Sequence, residues 1–298
     1  MIRRLGLAIL LLAIALPASA EPMPEQTEML LRAAADKSDA LLGSTADLAK
    51  KTLPKSAHEI DALVKQLRTM ATLRHQLKLR HLGLLRGWKG HGQVGASTSS
   101  GNTRSTGLAV GLDFSREGLR WTHAFNATFD YERDNGVETK GRYFGSYQTN
   151  YRFSDRLYLL GLGSWESDRF SGFDSRATES VGFGYSLVRT PDLTLSVEGG
   201  PALRQTDFVI AGLKNTFAGR AAVNYAWSLL PNLKFAENMS YYNEAQDGTF
   251  TSNTALTVGL IGSLSVQASY LAQYESTPAT ALLHRYNSTA RTTLVYSF

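Results

Sequence analysis

From Trp88 to the C-terminus, apolar and polar residues alternate along the chain with a period of two. In "TGLAVGLDFS" (residues 106–115), Leu108, Val110 and Phe114 fall on one side, whereas Ala109 and Asp113 fall on the other. A period of two places successive side chains on opposite faces of a β-strand. The pattern therefore predicts strands that have one apolar and one polar face.

Similar alternating runs recur to the last residue, with a turn signal after each one. Tight connections such as "REG" and "SDR" alternate with longer ones such as "RDNGVETKG" and "STPATAL". Short and long connections at opposite ends are typical of antiparallel outer-membrane barrels. The runs predict about twelve strands, an even number, near 88–99, 104–116, 119–132, 142–153, 157–168, 175–187, 193–207, 215–228, 233–243, 249–260, 264–275 and 283–298.

A soluble β-sandwich would also contain many short strands separated by turns. The predicted strands are longer than the five or six residues usual in globular sheets, and are long enough for a tilted membrane span. Aromatic residues concentrate toward strand ends on the apolar face, as interfacial girdles require. The sequence therefore favours an all-β membrane protein, an antiparallel transmembrane β-barrel. The predicted girdle contains Trp88, Trp121, Tyr131, Tyr143, Tyr151, Tyr158, Tyr225, Trp227, Tyr241, Tyr274 and Tyr296.

The opposite face of these strands is too polar for a dry core, and in a barrel it would line a wet lumen. Among the charged residues on this face, arginines outnumber aspartates and glutamates. Arginines in a water-filled constriction would favour small anions, whereas arginines paired with acids would plug and stiffen the barrel. Both interpretations remain open at this stage. The residues predicted to face the lumen, where they would either select solutes or plug the barrel, are Asp113, Arg120, Asp130, Arg142, Arg152, Arg176, Glu198, Arg204, Arg220 and Arg291.

The chain ends on an alternating strand, "TARTTLVYSF", whose last residue is Phe298. A strand that spans lipid cannot leave an unpaired edge, so this last strand must pair with the first. Leu294, Tyr296 and Phe298 continue its lipid-facing side. We expect these three residues to form the signal that the barrel-assembly machinery recognises.

The N-terminus has the organisation of a secretory signal peptide. Arg3 and Arg4 precede an apolar stretch from Leu5 to Leu16, and Ala18-Ser19-Ala20 is a small-residue cleavage site. The apolar run is shorter than the roughly 20 residues of a membrane-spanning helix. The sequence therefore predicts a signal peptide at 1–20 and export of the rest of the chain.

Residues 21–87 have helical periodicity and are predicted to form a periplasmic segment before the barrel at 88–298. One Ala-rich helix is expected from about Met29 to Lys50. After Pro54, a second begins at Ser56 and Glu59, which have the spacing of a capping box. Its apolar face, Ile60 to Met70, is a candidate for self-association. Its basic residues from Lys65 to Arg86 form either a solvated face or a contact with anionic lipid.

Charge and composition narrow the function further. The net charge is +5, but residues 88–298 hold 18 basic and 18 acidic residues, so no basic footprint for nucleic acid covers the barrel. Cysteine is absent. No serine nucleophile motif accompanies the histidines, and Asp130, Glu132 and Asp134 lack the spacing of a calcium loop. We expect no enzyme activity, metal or cofactor.

Several motifs give the barrel region a family resemblance. They include the Trp-x-Gly start at Trp88, "SGNT" at 100–103, "RFSGFD" at 169–174 and "GFGY" at 182–185. Residues 88–298 resemble the family of salt-induced outer-membrane proteins, a domain family of unknown function. The resemblance implies an outer-membrane barrel in a Gram-negative envelope. It implies no substrate or catalytic residues.

These observations give one functional expectation and two alternatives. We expect a porin-like narrow channel for small hydrophilic solutes, neutral or anionic. The first alternative is a closed structural or envelope-stress barrel without transport, and a membrane-embedded hydrolase is the least favoured. The expected partners are outer-membrane lipids, the barrel-assembly machinery and a small-solute cargo.

Overall fold

The computed structural model describes residues 22–80, 86–100, 105–134, 136–245, 247–279 and 283–298. The predicted signal peptide lies outside these residues. The described chain divides into two compact units, one ending at His75 and one beginning at Gln76. The first unit is helical, and the second holds the end of the last helix and all the described strands, so secondary structure changes near the predicted change of hydrophobic period.

Three α-helices, α1 (Glu25–Lys37), α2 (Asp39–Thr52) and α3 (Ala57–Arg80), are found in the described N-terminal residues. The predicted single helix from Met29 to Lys50 is wrong, because the chain is extended at Ser38. The Ser38 hydroxyl accepts a hydrogen bond from the Leu41 N–H at 3.1 Å and caps α2. None of the described helices is long and apolar enough to cross a membrane.

The apolar face of α3 packs inside the helical unit. Ile60, Leu63 and Val64 are buried in one cluster with residues of α1 and α2, such as Leu31 and Leu42. The hypothesis that this face mediates self-association is therefore wrong for its first two turns, since those side chains already have partners. The lipid contact of the basic residues stays a prediction.

Twelve strands follow in the described residues. They form one closed barrel in which each strand pairs antiparallel with its neighbours in sequence. The predicted antiparallel barrel of about twelve strands after a helical segment is confirmed. The strands are β1 (Trp88–Ser100), β2 (Ser105–Glu117), β3 (Trp121–Asp134), β4 (Val137–Arg152), β5 (Leu157–Asp168), β6 (Phe173–Arg189), β7 (Leu193–Phe208), β8 (Gly212–Leu230), β9 (Leu233–Glu244), β10 (Gly248–Ile261), β11 (Leu264–Glu275) and β12 (Tyr286–Ser297).

The first and last strands close the barrel. β1 pairs with β12 from His91 opposite Ser297 to Ser100 opposite Ser288. Beyond the last pair, the Gly90 N–H donates to the Phe298 carbonyl at 3.0 Å, and the Phe298 N–H donates back at 2.9 Å. Closure satisfies the backbone groups of both edge strands, as lipid requires. We call the end of the barrel that holds Trp88 and Phe298 the terminal end, and the other the far end.

The connections at the far end are shorter than the sequence suggests. Most of "RDNGVETKG" belongs to β3, which ends at Asp134, and to β4, which begins at Val137, and Gly136 before β4 has φ 83°. Residues 209–211 alone join β7 to β8, whereas β11 and β12 are ten residues apart.

The two barrel faces differ as the alternation predicts, but Tyr158 is an exception. Outward side chains such as Trp121, Phe183 and Trp227 are large and exposed. Tyr158, which we expected in the outer girdle, points inward and is 9% exposed. It packs over Gly184 on the neighbouring strand, a position at which a Cβ would collide with its ring.

Candidate functional site: the barrel lumen

A polar cavity of about 610 Å³ lies inside the barrel, and all twelve described strands contribute to its wall. Amide and hydroxyl side chains make up much of that wall, among them Gln93, Asn126, Gln148, Asn224 and Gln267. Such groups can replace the hydrogen bonds that a small hydrophilic solute makes with water. The cavity therefore offers hydrogen-bonding groups to polar contents.

Asp130 is the centre of the first charged cluster in the lumen. Its carboxylate is fully buried and accepts two hydrogen bonds from the Arg291 guanidinium, each 2.6 Å long. Arg142 lies 3.7 Å from the same carboxylate, and its Nε donates to Glu166 at 2.7 Å. These four side chains connect β12, β3, β4 and β5 across the interior.

Two further contacts cross the lumen near the far end. Arg176 on β6 donates to Glu275 on β11 at 2.7 Å. Gln273 on β11 lies within 3.5 Å of the Glu166 carboxylate on β5. Because β5 and β6 lie on the opposite side of the barrel from β11, these contacts bridge opposite walls.

The β7–β10 wall carries two more arginine–carboxylate pairs. Arg204 donates to Glu244 at 2.6 Å, and Arg220 donates to Glu198 at 2.9 Å. Glu198 also accepts hydrogen bonds from the Tyr158 hydroxyl at 2.9 Å and the Gln148 amide at 3.0 Å. The inward orientation of Tyr158 thus has a polar cause, because its hydroxyl finds a carboxylate inside the barrel.

The guanidinium groups and their carboxylate partners are placed differently relative to the cavity. Within the described wall, the cavity is lined by Arg142, Arg176, Arg204, Arg220 and Arg291, together with the acids Asp113 and Glu166. The partner acids Asp130, Glu198, Glu244 and Glu275 do not line it. A solute inside the cavity therefore meets more positive than negative groups.

A second buried cluster spans the closing strands. Glu132 on β3 accepts hydrogen bonds from Ser97 at 3.1 Å and Ser99 at 2.9 Å, both on β1. Lys140 on β4 donates to Ser99 at 2.6 Å and to Thr289 on β12 at 2.5 Å. Asp130 and Glu132, which we considered as part of a calcium loop, are thus bonded to the closing strands.

The remaining predicted lumen residues lie toward the terminal end. Asp113 accepts a hydrogen bond from the Asn126 amide at 2.6 Å and lines the cavity. Arg152 donates to Glu117 at 3.2 Å beside the β2–β3 turn. Arg120, which we expected inside, lies instead in that turn, and its guanidinium donates to the Tyr151 hydroxyl on the outer face at 2.9 Å.

Leu294, Tyr296 and Phe298 are all exposed on the outer face of β12. The Phe298 ring meets Phe114 edge to face, with 5.8 Å between ring centroids. The C-terminal residue is therefore held by backbone and by side chain.

The sequence analysis did not identify five inward residues of these clusters. Three are acids that bind arginines, Glu166, Glu244 and Glu275, and the other two are Glu132 and Lys140. All five obey the inward parity of their strands, which was the signal that could have identified them. Parity gives the face of a side chain, but it does not give its partner.

Solved structures similar to this chain are outer-membrane proteins. A NanC porin structure is 11% identical, covering 69% of this chain and 98% of that chain at a TM-score of 0.48. The translocator domain of the autotransporter NalP from Neisseria meningitidis is 15% identical, covering 78% and 96% at 0.44. The COG4313 outer membrane channel from Pseudomonas putida F1 is 10% identical, covering 72% and 97% at 0.46.

A relative in sequence is the "Uncharacterized protein YdiY" of Escherichia coli (strain K12). It is 26% identical over 196 residues, which are 64% of this chain and 75% of that protein. Residues 92–298 match the family described as "Protein of unknown function, DUF481". This match covers nearly all of the barrel, and the chain therefore belongs to that family.

Proposed function

We propose that this protein is an outer-membrane barrel that forms a narrow channel for small hydrophilic solutes, neutral or anionic. The observation that carries the proposal is the polar cavity of about 610 Å³, lined by arginines whose partner acids mostly lie outside its wall. Hydrogen-bonding groups and positive charge in a constriction lower the barrier for polar and anionic solutes.

We propose that the terminal end, at which both barrel termini lie, faces the periplasm together with the helical segment that precedes β1. This is the orientation expected if the chain is exported and its helical segment stays in the periplasm. The far end, which has the ten-residue connection between β11 and β12, then faces the exterior. Short periplasmic turns and longer external connections are usual in such barrels.

A second candidate is a closed structural barrel. It is favoured by the contacts that bridge the lumen, Arg176 to Glu275 and Gln273 to Glu166. A side-chain network that joins opposite walls stiffens a barrel and obstructs passage. Conductance distinguishes the two functions, because a closed barrel carries no current.

Conductance in planar bilayers is therefore the first test. We expect the purified protein to give channel currents with anion preference. We expect Arg204→Gln with Arg220→Gln to shift the reversal potential toward cation preference, because two positive groups leave the wall while Glu198 and Glu244 stay. The measurement is the reversal potential under a salt gradient.

Arg152→Gln is the matched control, since it removes a positive charge beside the β2–β3 turn, where Arg152 binds Glu117. It should leave the reversal potential close to that of the wild type. The absence of current at every voltage and salt concentration would reject transport in favour of the closed barrel. Current with unchanged selectivity in the double variant would reject the arginine wall as its cause.

We also propose that Leu294, Tyr296 and Phe298 are read by the barrel-assembly machinery. Phe298→Asp should strongly reduce the folded barrel while export continues. A charge near the membrane interface costs only about 0–1 kcal/mol, so a large loss would reflect recognition rather than stability. Leu264→Asp is the control, because Leu264 pairs with Tyr296 at similar depth. The heat-modifiable folded fraction is the measurement, and equal effects of both variants would contradict the proposal.

A further inference from the structure

Three asparagines form a row across one wall of the lumen. Asn224 on β8 lies opposite Asn238 on β9, which in turn lies opposite Asn253 on β10. All three line the cavity. Neighbouring strands are about 4.7–4.9 Å apart, so the three amides follow one another at that spacing around the wall. Ser240 and Thr251, which also line the cavity, form the next inward pair toward the far end. We call these five side chains the amide patch.

The amide patch differs from the other amides of the cavity wall in its lack of partners. The described residues provide no hydrogen-bond partner for any of its five side chains, and Asn253 Oδ1 is a buried acceptor without a donor. Elsewhere on the wall, Asn126 donates to Asp113 at 2.6 Å, and Gln148 donates to Glu198 at 3.0 Å. The donors and acceptors of the amide patch are therefore free to bind a solute in the cavity.

Arg220 on β8 provides a cation beside the amide patch that has unused donors. Its Nη1 donates to Glu198 at 2.9 Å, and its buried Nε has no acceptor among the described residues. A guanidinium has five N–H donors, so Arg220 can bind a second acceptor. Glu198 lies opposite Ala222, which is midway along β8 between Arg220 and the asparagine row. The hydrogen bond to Glu198 therefore directs the guanidinium toward the amide patch.

We propose that the amide patch and Arg220 form a binding site for a sugar acid, a small solute that carries several hydroxyl groups and one carboxylate. An amide offers both donors and an acceptor, as a hydroxyl group does, so a row of amides matches the adjacent hydroxyl groups of a sugar. A guanidinium forms its strongest hydrogen bonds with a carboxylate. The site rests on the proposed function, because a solute reaches it only through an open lumen.

The first experiment measures binding by isothermal titration calorimetry of the folded, full-length protein in detergent micelles. The probes are glucuronate, glucose and acetate. Glucuronate should bind about tenfold more tightly than glucose, which lacks the carboxylate, and more tightly than acetate, which lacks the hydroxyl groups. Equal affinity for acetate and glucuronate would overturn the role of the amides. The absence of any heat of binding for glucuronate would overturn the site.

Asn238→Ala removes the central amide of the row and should raise the dissociation constant of glucuronate about tenfold. The fold should tolerate this change, because the Asn238 side chain has no partner among the described residues. Asn150→Ala is the matched control, since Asn150 on β4 accepts a hydrogen bond from Gln148 at 3.0 Å and is not part of the described cavity wall. It should bind glucuronate as the wild type does. Wild-type affinity in Asn238→Ala would overturn the proposal.

Arg220→Gln separates recognition of the carboxylate from recognition of the hydroxyl groups. We expect glucuronate to bind this variant no more tightly than glucose, while the affinity for glucose stays that of the wild type. A merely structural role of Arg220 would weaken both sugars equally, and that result would overturn its assignment to the carboxylate. Heat-modifiable migration establishes that each variant is folded.

Single-channel recording distinguishes a failure of this site from a failure of the proposed channel. Glucuronate added to a conducting barrel should interrupt the current, and the interruptions should be shorter in Asn238→Ala. Current that glucuronate does not interrupt would overturn the site and leave the channel standing. Calorimetric binding of glucuronate to a barrel that carries no current would support the site and reject the channel.

Discussion

Replacing Asp130 by alanine should lower the free energy of unfolding of the barrel by about 3–5 kcal/mol, the usual cost of breaking a buried ion pair. The carboxylate is fully buried and holds Arg291 through two 2.6 Å hydrogen bonds, with Arg142 at 3.7 Å. Its removal leaves two guanidinium groups facing each other without their shared acid. Urea unfolding of the refolded barrel in lipid vesicles measures the loss.

The control for this prediction is an exposed pair of the same type. Asp174, at the start of β6, binds Arg169 in the β5–β6 connection, where the arginine side chain is 76% exposed and the aspartate side chain is 37% exposed. Asp174→Ala should cost about 0–1 kcal/mol, since solvent screens such a pair. Asp130→Ala with Arg291→Ala should cost less than the sum of the two single variants. Equal losses for Asp130→Ala and Asp174→Ala would show that burial does not determine the effect.

Alternation predicted the strands, and their length, the aromatic girdle and the polar inner face distinguished a barrel from a sandwich. Each strand repeats the same two-residue period, and even a weak signal becomes decisive when it recurs twelve times with turns between. The need for closure then paired the last strand with the first, which the Gly90–Phe298 hydrogen bonds realise. Backbone satisfaction in lipid leaves few other solutions.

Local parity failed where both faces of a strand are apolar. In "LYLLGLG" (157–163), leucine occupies positions on each face, so the pattern does not indicate which face Tyr158 shares. The direction of Tyr158 is determined by a carboxylate on β7 and by the space above Gly184. Both features depend on strand register, which the sequence does not specify.

For a related reason, the sequence could not predict which charged residues pair in the lumen. Arg176 and Glu275 are 99 residues apart, and Arg291 and Asp130 are 161 residues apart. Their meeting depends on the curvature and register of the closed sheet. The sequence therefore predicted that the arginines point inward, but it left open whether they face water or acids. In the structure, each cavity-lining arginine binds an acid and also lies on the cavity wall.

Breaking the contact between opposite walls should widen the channel. Arg176→Ala with Glu275→Ala removes the 2.7 Å bridge from β6 to β11. We expect the single-channel conductance to rise several-fold, because two long side chains leave the far end of the lumen. One base and one acid are lost together, so the net charge of the barrel is unchanged. Four of the five cavity-lining arginines remain, so the anion preference should persist.

Arg152→Ala with Glu117→Ala is the matched double variant. It also removes one acid and one base, but this pair lies beside the β2–β3 turn and does not join opposite walls. Its conductance should equal that of the wild type. If both double variants raise the conductance equally, loosening of the barrel rather than removal of a bridge is the cause. If Arg176→Ala with Glu275→Ala leaves the conductance unchanged, the narrowest point lies elsewhere, and the Gln273–Glu166 contact, which also joins opposite walls, becomes the next position to substitute.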